Sequence, residues 1–195
     1  MLTVSARTQL MIGIILATLM GVTRGYHFTA LEQLPSASWA VLFLAGVYLP
    51  SRWVFPALLA EAALLDYVAI TWGGVSSFCI SPAYGFLLPA YGSLWLAGHW
   101  YAKKHRDTVA TLLPLTMSMV VGAAICEFIS SGSFYVLSGR FDHTTVAEYS
   151  SQFARYYPQS LLTLTFYAGL ASLGQLAVYI ARVVTLSYSD GNTSA

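Results

Sequence analysis

Residues 53–72 read WVFPALLAEAALLDYVAITW, with two carboxylates and no basic side chain. About 20 mostly apolar residues are what a helix needs to cross the hydrocarbon core of a bilayer. Trp53 and Trp72 bracket the stretch, and amphipathic rings settle at membrane–water boundaries. The segment is therefore predicted to be a transmembrane helix. The same test applied outward finds Thr8–Thr23, Leu34–Leu49, Ala83–Tyr101, Val109–Ser131 and Pro158–Leu186. The second of the six is short, bounded by Pro35 and Pro50. The last is long enough to tilt or to run past the bilayer.

Composition points the same way. Of 195 residues, 57% are hydrophobic and 9% charged, whereas a soluble domain carries roughly 25% charged residues to face water. A surface of this size cannot be covered by so few charges, so lipid solvates much of it. The net charge of +1 argues against a nucleic-acid partner, which needs clusters of Lys and Arg to neutralise phosphates. The first apolar run, Leu10 to Val22, is followed by Thr23-Arg24-Gly25-Tyr26 and not by a small-residue cleavage pattern, so it reads as a retained span. Without internal repeats, residues 1–186 are expected to form a single all-α integral membrane domain of six helices. Residues 187–195, small and polar, are expected to be a disordered tail.

Six spans put both termini on one side. With the N-terminus inside, cytoplasmic segments hold Arg7, Arg52, Lys103, Lys104, Arg106 and Arg182, and the outside holds Arg24, Arg140 and Arg155. Six basic residues against three favour cytoplasmic termini. The outer connections are then Arg24–Gln33, Gly73–Pro82 and Gly132–Tyr157, the third long enough for a short amphipathic helix.

Asp66 falls in the outer half of the third span, roughly 9 Å from its end, and Glu127 near the outer end of the fifth. A carboxylate in a span faces the bundle interior or a water-filled cavity. Each either ties helices together or forms the polar wall of an outward-opening cavity. Glu61 lies five residues before Asp66, about 140° around the helix, and is expected either to pair with Arg182 or to take part in a transport cycle. Cys79 sits in a Gly/Ser-rich loop, where a thiol is a soft metal ligand and a nucleophile. It could also pair with Cys126 or be incidental. His27 and Tyr84 share the outer face. No zinc spacing, phosphate loop or nucleophile elbow is present. Gly13, Ala17 and Gly21 form a small-residue stripe on the first helix, suited to close helix packing within the chain or to a partner membrane protein.

Six spans, cytoplasmic termini, an outward site under the first, third and fifth loops, and small residues on the first helix together resemble an S-component of the energy-coupling-factor transporters. Within that group His27, Asp66, the loop Val75-Ser76-Ser77-Phe78-Cys79-Ile80-Ser81-Pro82 and Tyr84 resemble the BtuM family of bacterial cobalamin transporters. The resemblance implies vitamin B12 uptake across the bacterial inner membrane, with Cys79 as axial ligand to cobalt and His27, Asp66 and Tyr84 around the corrinoid. It also implies removal of the cyanide ligand of cyanocobalamin through Cys79, and work without the usual ATPase module. Arg155 is added as a basic residue that could meet a corrin amide or the nucleotide phosphate. The competing expectations are an S-component for another vitamin with Cys79 incidental, a membrane thiol enzyme, and a scaffold.

Overall fold

The computed structural model describes residues 5–24, 36–73, 81–106, 108–139, 141 and 145–192, with the side chains of residue 179 and residues 182–192 left aside. Among them are six α-helices: α1 (Ala6–Arg24), α2 (Ser38–Tyr48), α3 (Val54–Trp72), α4 (Leu87–Lys104), α5 (Leu112–Leu137) and α6 (Val146–Asn192). No strand occurs among the described residues. Short 3₁₀ turns, Pro82–Phe86 and Val109–Thr111, lead into α4 and α5.

Among the described residues four segments are long and apolar enough to cross a membrane: Ala6–Arg24, Val54–Trp72, Val109–Leu137 and Val146–Val178. Their outer faces carry Leu10, Ile15, Leu64, Leu113, Phe128, Leu162 and Leu173, each about 60% exposed or more. So much exposed apolar surface has lipid as its solvent. The chain is an all-helical membrane protein.

Prolines mark three of the helix starts. Pro56, Pro89 and Pro114 are each the third residue of their helix, in the first turn, where no intrahelical partner awaits the missing N–H. Pro158 is different. It lies inside α6, which begins at Val146, twelve residues earlier than the expected start. The true start is set by Thr145 and Glu148: Thr145 Oγ1 accepts from the Glu148 N–H at 3.3 Å, half of a capping box. The Tyr135 hydroxyl completes it from α5, accepting from the Thr145 N–H at 3.0 Å and donating to the Glu148 carboxylate at 2.8 Å. The expected loop over 132–157 is thus mostly helix. At its other end α6 continues as helical backbone to Asn192, through part of the run expected to be a tail. Its Ser and Asp residues are weak helix formers but not breakers.

α2 is the second departure. The expected span Leu34–Leu49 contains an 11-residue helix, about 16 Å long at 1.5 Å per residue and too short to cross the bilayer unaided. Every residue from Ala40 to Val47 is buried. α4 lies against it, and α5 covers the far side of α4. The helix backbones touch: a methyl on Gly46 would strike the Trp95 carbonyl oxygen, and one on Gly98 the Phe43 carbonyl oxygen. On the opposite side of α4, a methyl on Gly122 of α5 would fall 2.7 Å from the Ala97 Cβ. The stripe on α1 is used internally as well, with Gly13 against Leu49 and Gly21 against the Glu61 side chain.

Polar contacts fix the direction of each helix. The end of α1, the start of α2, the second half of α3 and the start of α4 meet around Arg24. At the other end His105, after α4, bonds Tyr101 and Thr111, and Gln175 of α6 lies beside Tyr48 at the close of α2. The helices therefore alternate in direction.

Gly46→Ala or Gly98→Ala forces two backbones apart and should cost about 1–3 kcal/mol or more, the range for overpacked cores. Thermal unfolding of the detergent-solubilised protein should show a lowered midpoint for both. Gly169→Ala, with open space around its Cα, should leave the midpoint unchanged or raise it.

Candidate functional site

Arg24 is the last residue of α1, and its guanidinium gathers side chains from three further helices. Nε donates to Asp66 Oδ1 and an Nη2 hydrogen to Oδ2, both at 2.7 Å. This fork-to-fork geometry is the strongest form of a charge-assisted pair. Nη1 donates to Ser38 Oγ at 2.9 Å and to the Tyr91 hydroxyl at 3.0 Å. Tyr84, in the turn before α4, donates to Asp66 Oδ2 at 2.8 Å. The Arg24 and Asp66 side chains are 14% and 25% exposed.

Local structure explains the convergence. Thr23, one residue before Arg24, donates to the Leu19 carbonyl at 2.7 Å and accepts from the Ala37 N–H at 3.1 Å. This ties the start of α2 to the end of α1 and sets Ser38 beside the guanidinium. Ser81 Oγ accepts from the Ala83 N–H at 3.3 Å, capping the turn that carries Tyr84 to Asp66. The cation and the carboxylate cancel, so the cluster is electrically neutral and nearly saturated with hydrogen bonds.

Beside it, between α2, α4 and α6, lies a cavity of about 240 Å³ lined by Ser36, Ser38, Trp39, Tyr91, Gln159, Ser160 and Thr163. Its polar groups are hydroxyls, one amide and one indole N–H, all uncharged. Ser38 and Tyr91 belong to both the cavity wall and the Arg24 cluster. The space suits neutral hydrogen-bonding groups and falls below the roughly 300–1,000 Å³ of pockets that enclose drug-sized ligands.

Of the residues selected from the sequence, Asp66 and Tyr84 are brought together by a direct hydrogen bond. His27 and Cys79 lie outside the described residues. Arg155 is exposed on α6, its guanidinium 5.8 Å from the Tyr156 ring centroid. Cys126 is a free thiol buried in the core. Glu127, also buried, accepts from the Ser131 hydroxyl one turn on. Among the described residues no group of three or more His, Cys, Asp or Glu side chains is placed to hold a metal ion.

Arg24, Ser38 and Tyr91 escaped the sequence reading, in which Arg24 served only to orient the chain. The available signal was scarcity of charge. An arginine at the end of an apolar helix needs a counter-ion, and Asp66 is one of the few in the bundle. Comparison with known proteins gives no matching family model and no matching curated relative.

Removing one member of the pair strands the other. Asp66→Asn or Arg24→Gln should each cost about 2–4 kcal/mol, somewhat below the roughly 3–5 kcal/mol of a fully buried pair, given the residual exposure. The double variant Arg24→Gln/Asp66→Asn should cost clearly less than the sum, because no lone charge remains. A double-mutant cycle on thermal unfolding measures this, and strict additivity would show the pair to be uncoupled.

Proposed function

We propose that the protein takes up cobalamin, or a related corrinoid, across a bacterial cytoplasmic membrane, binding it at the Arg24 end of the bundle with Cys79 as axial ligand to cobalt. In this reading all six helices lie in the membrane with both termini cytoplasmic, and α2 is sheltered from lipid by its neighbours. Arg7 on the first turn of α1, Arg52 before α3 and Lys103 and Lys104 at the close of α4 gather at the end opposite Arg24. This distribution supports a cytoplasmic placement of that end.

One observation carries the reading: two polar residues chosen for their resemblance to a corrinoid site, Asp66 and Tyr84, are hydrogen-bonded to each other beside a polar cavity. Ser81, whose side chain caps the Tyr84 turn, stands two residues after Cys79 in the chain. A two-residue tether reaches at most about 7 Å. His27 follows Arg24 by three residues. In this reading His27 and Cys79 supply the remaining contacts.

The chemistry is ligand exchange. A thiolate is a strong soft donor; entering one axial position of Co(III), it displaces the group already there. Donation along the axis weakens the opposite bond, and cyanide leaves in exchange for water with no change in oxidation state. One thiolate suffices, since the corrin supplies the other nitrogen donors, so no multi-residue metal cluster is required of the protein.

The cavity of about 240 Å³ favours a second reading in which a smaller vitamin binds and Cys79 is incidental. The internal packing of Gly13 and Gly21 uses the α1 stripe within the chain, in keeping with work without an ATPase module.

Purified protein mixed with hydroxocobalamin or cyanocobalamin should shift the corrin absorption bands through Co–S coordination, and Cys79→Ala should abolish the shift. Binding with an unaltered spectrum, or an unchanged spectrum for Cys79→Ala, would remove Cys79 from the cobalt. Absence of any binding would turn the reading toward the smaller vitamin.

A further inference from the structure

Four carboxylates have described side chains: Glu61, Asp66, Glu127 and Glu148. Asp66 pairs with Arg24 and Tyr84, Glu127 accepts from Ser131, and Glu148 accepts from Tyr135. Glu61 alone has no hydrogen-bond or ion-pair partner among the described residues. It is the eighth residue of the 19-residue helix α3, half-buried and near the middle of a membrane-crossing segment. What it meets is Gly21 of α1, whose Cβ position lies 4.0 Å from its Oε1.

The α6 backbone at residue 182 stands at another level of the bundle. Gln175 of α6 is level with Tyr48, at the end of the bundle away from Arg24. Seven further residues carry the α6 backbone roughly 10 Å beyond that level, whereas Gly21 is one turn from Arg24. The other ionisable groups on the elements packed against α3 are engaged or distant. On α1, Arg24 is held by Asp66, Ser38 and Tyr91, and Arg7 lies at the far end. On α2, Tyr48 lies beside Gln175 at the far end. On α4, Tyr91 bonds Arg24, His99 stacks on Trp95, Tyr101 bonds His105, and Lys103 and Lys104 close the helix at the far end. On α3 itself, Tyr67 is exposed and packs edge-on to Trp72.

An ionised carboxylate in hydrocarbon without a partner is far costlier than the neutral acid. We propose that Glu61 is a proton-binding site at the α1–α3 interface, neutral at pH 7 in the membrane, and that it couples substrate movement to a proton gradient. The coupling rests on the uptake reading above. Glu61 and Asp66 share α3, roughly 7.5 Å apart along its axis, and both face α1. A shift of α1 against α3 that loosens Arg24 from Asp66 therefore also changes the surroundings of Glu61, opening it to water so that its proton leaves and a carboxylate remains.

Dicyclohexylcarbodiimide, lipid-soluble and reactive toward protonated carboxyl groups, tests the first half on the full chain in proteoliposomes. Peptide mass spectrometry should find Glu61 modified at pH 7, Asp66 unmodified, and no adduct at position 61 in Glu61→Gln. Modification at pH 5 but not at pH 7 would overturn the proposal. For coupling, cobalamin uptake into the same vesicles should rise several-fold when the outside is made acidic. Glu61→Gln should lose this stimulation while keeping the native corrin spectrum. Gradient-indifferent uptake by the native chain would overturn coupling. Loss of cobalamin binding in the native chain would overturn the corrinoid reading and with it the coupling, while the labelling still decides whether Glu61 holds a proton.

Discussion

The contact of two helix backbones at Gly46 and Gly98 fixes the architecture. Each glycine stands where any side chain would meet a carbonyl oxygen of the other helix, so α2 and α4 pack at the closest separation two helices allow. In lipid, where burying apolar surface against a neighbour gains little over burying it in acyl chains, dispersion between closely fitted surfaces drives association. The α2–α4 pair is the dense centre on which the longer helices lie. Because α2 is enclosed, it has no lipid-facing side, and its apolar residues run around its whole circumference. Its start is thereby fixed near the ends of α1 and α3.

That placement brings a hydroxyl to Arg24. Ser38 is the first residue of α2, and with Tyr91 near the start of α4 it takes up the two Nη1 hydrogens that Asp66 does not reach. Few charges can be tolerated at this depth, and the structure resolves the cost by forming one bidentate pair with neutral donors and acceptors around it. Four helices are cross-linked by a single cation, and the Tyr84 turn by its carboxylate partner. A backbone contact at one level thus determines an electrostatic assembly at another.

Much of this was legible in the sequence, for identifiable reasons. Helical class and membrane character follow from composition and run length, which depend on no partner. Asp66 stood out because a carboxylate in an apolar run is expensive wherever it points, and Tyr84 because of its neighbours in the chain. Arg24 was hidden because its role depends on a lateral partner 42 residues away, and nothing in local pattern specifies which residues of different helices share a level. The start of α6 was hidden for a related reason. Pro158 is the louder local signal, but Thr145 and Glu148 are completed as a cap by Tyr135 from the preceding helix. The length of α2 was obscured by its composition, since an enclosed core helix and a lipid-facing span are equally apolar. The register of Glu61 against the far end of α6 was equally hidden, since local pattern does not say which residues of two helices share a level.

The electrostatic balance of the cluster constrains what can bind there. Arg24 and Asp66 already satisfy each other, so an anion would have to displace Asp66 from a bidentate pair, and a cation would have to displace Arg24. Either exchange leaves one charge to be repartnered in a poorly hydrated place. A neutral ligand faces no such competition, because hydroxyls, an amide and an indole line the adjoining cavity, and these meet neutral donors and acceptors without disturbing the pair. A corrinoid presents its periphery largely as carboxamides, which are of that kind, and reserves its metal for a softer donor. In the proposed reading, affinity divides between many neutral hydrogen bonds and one coordination bond. The ion pair would contribute by holding the helix ends in place, not by attracting charge.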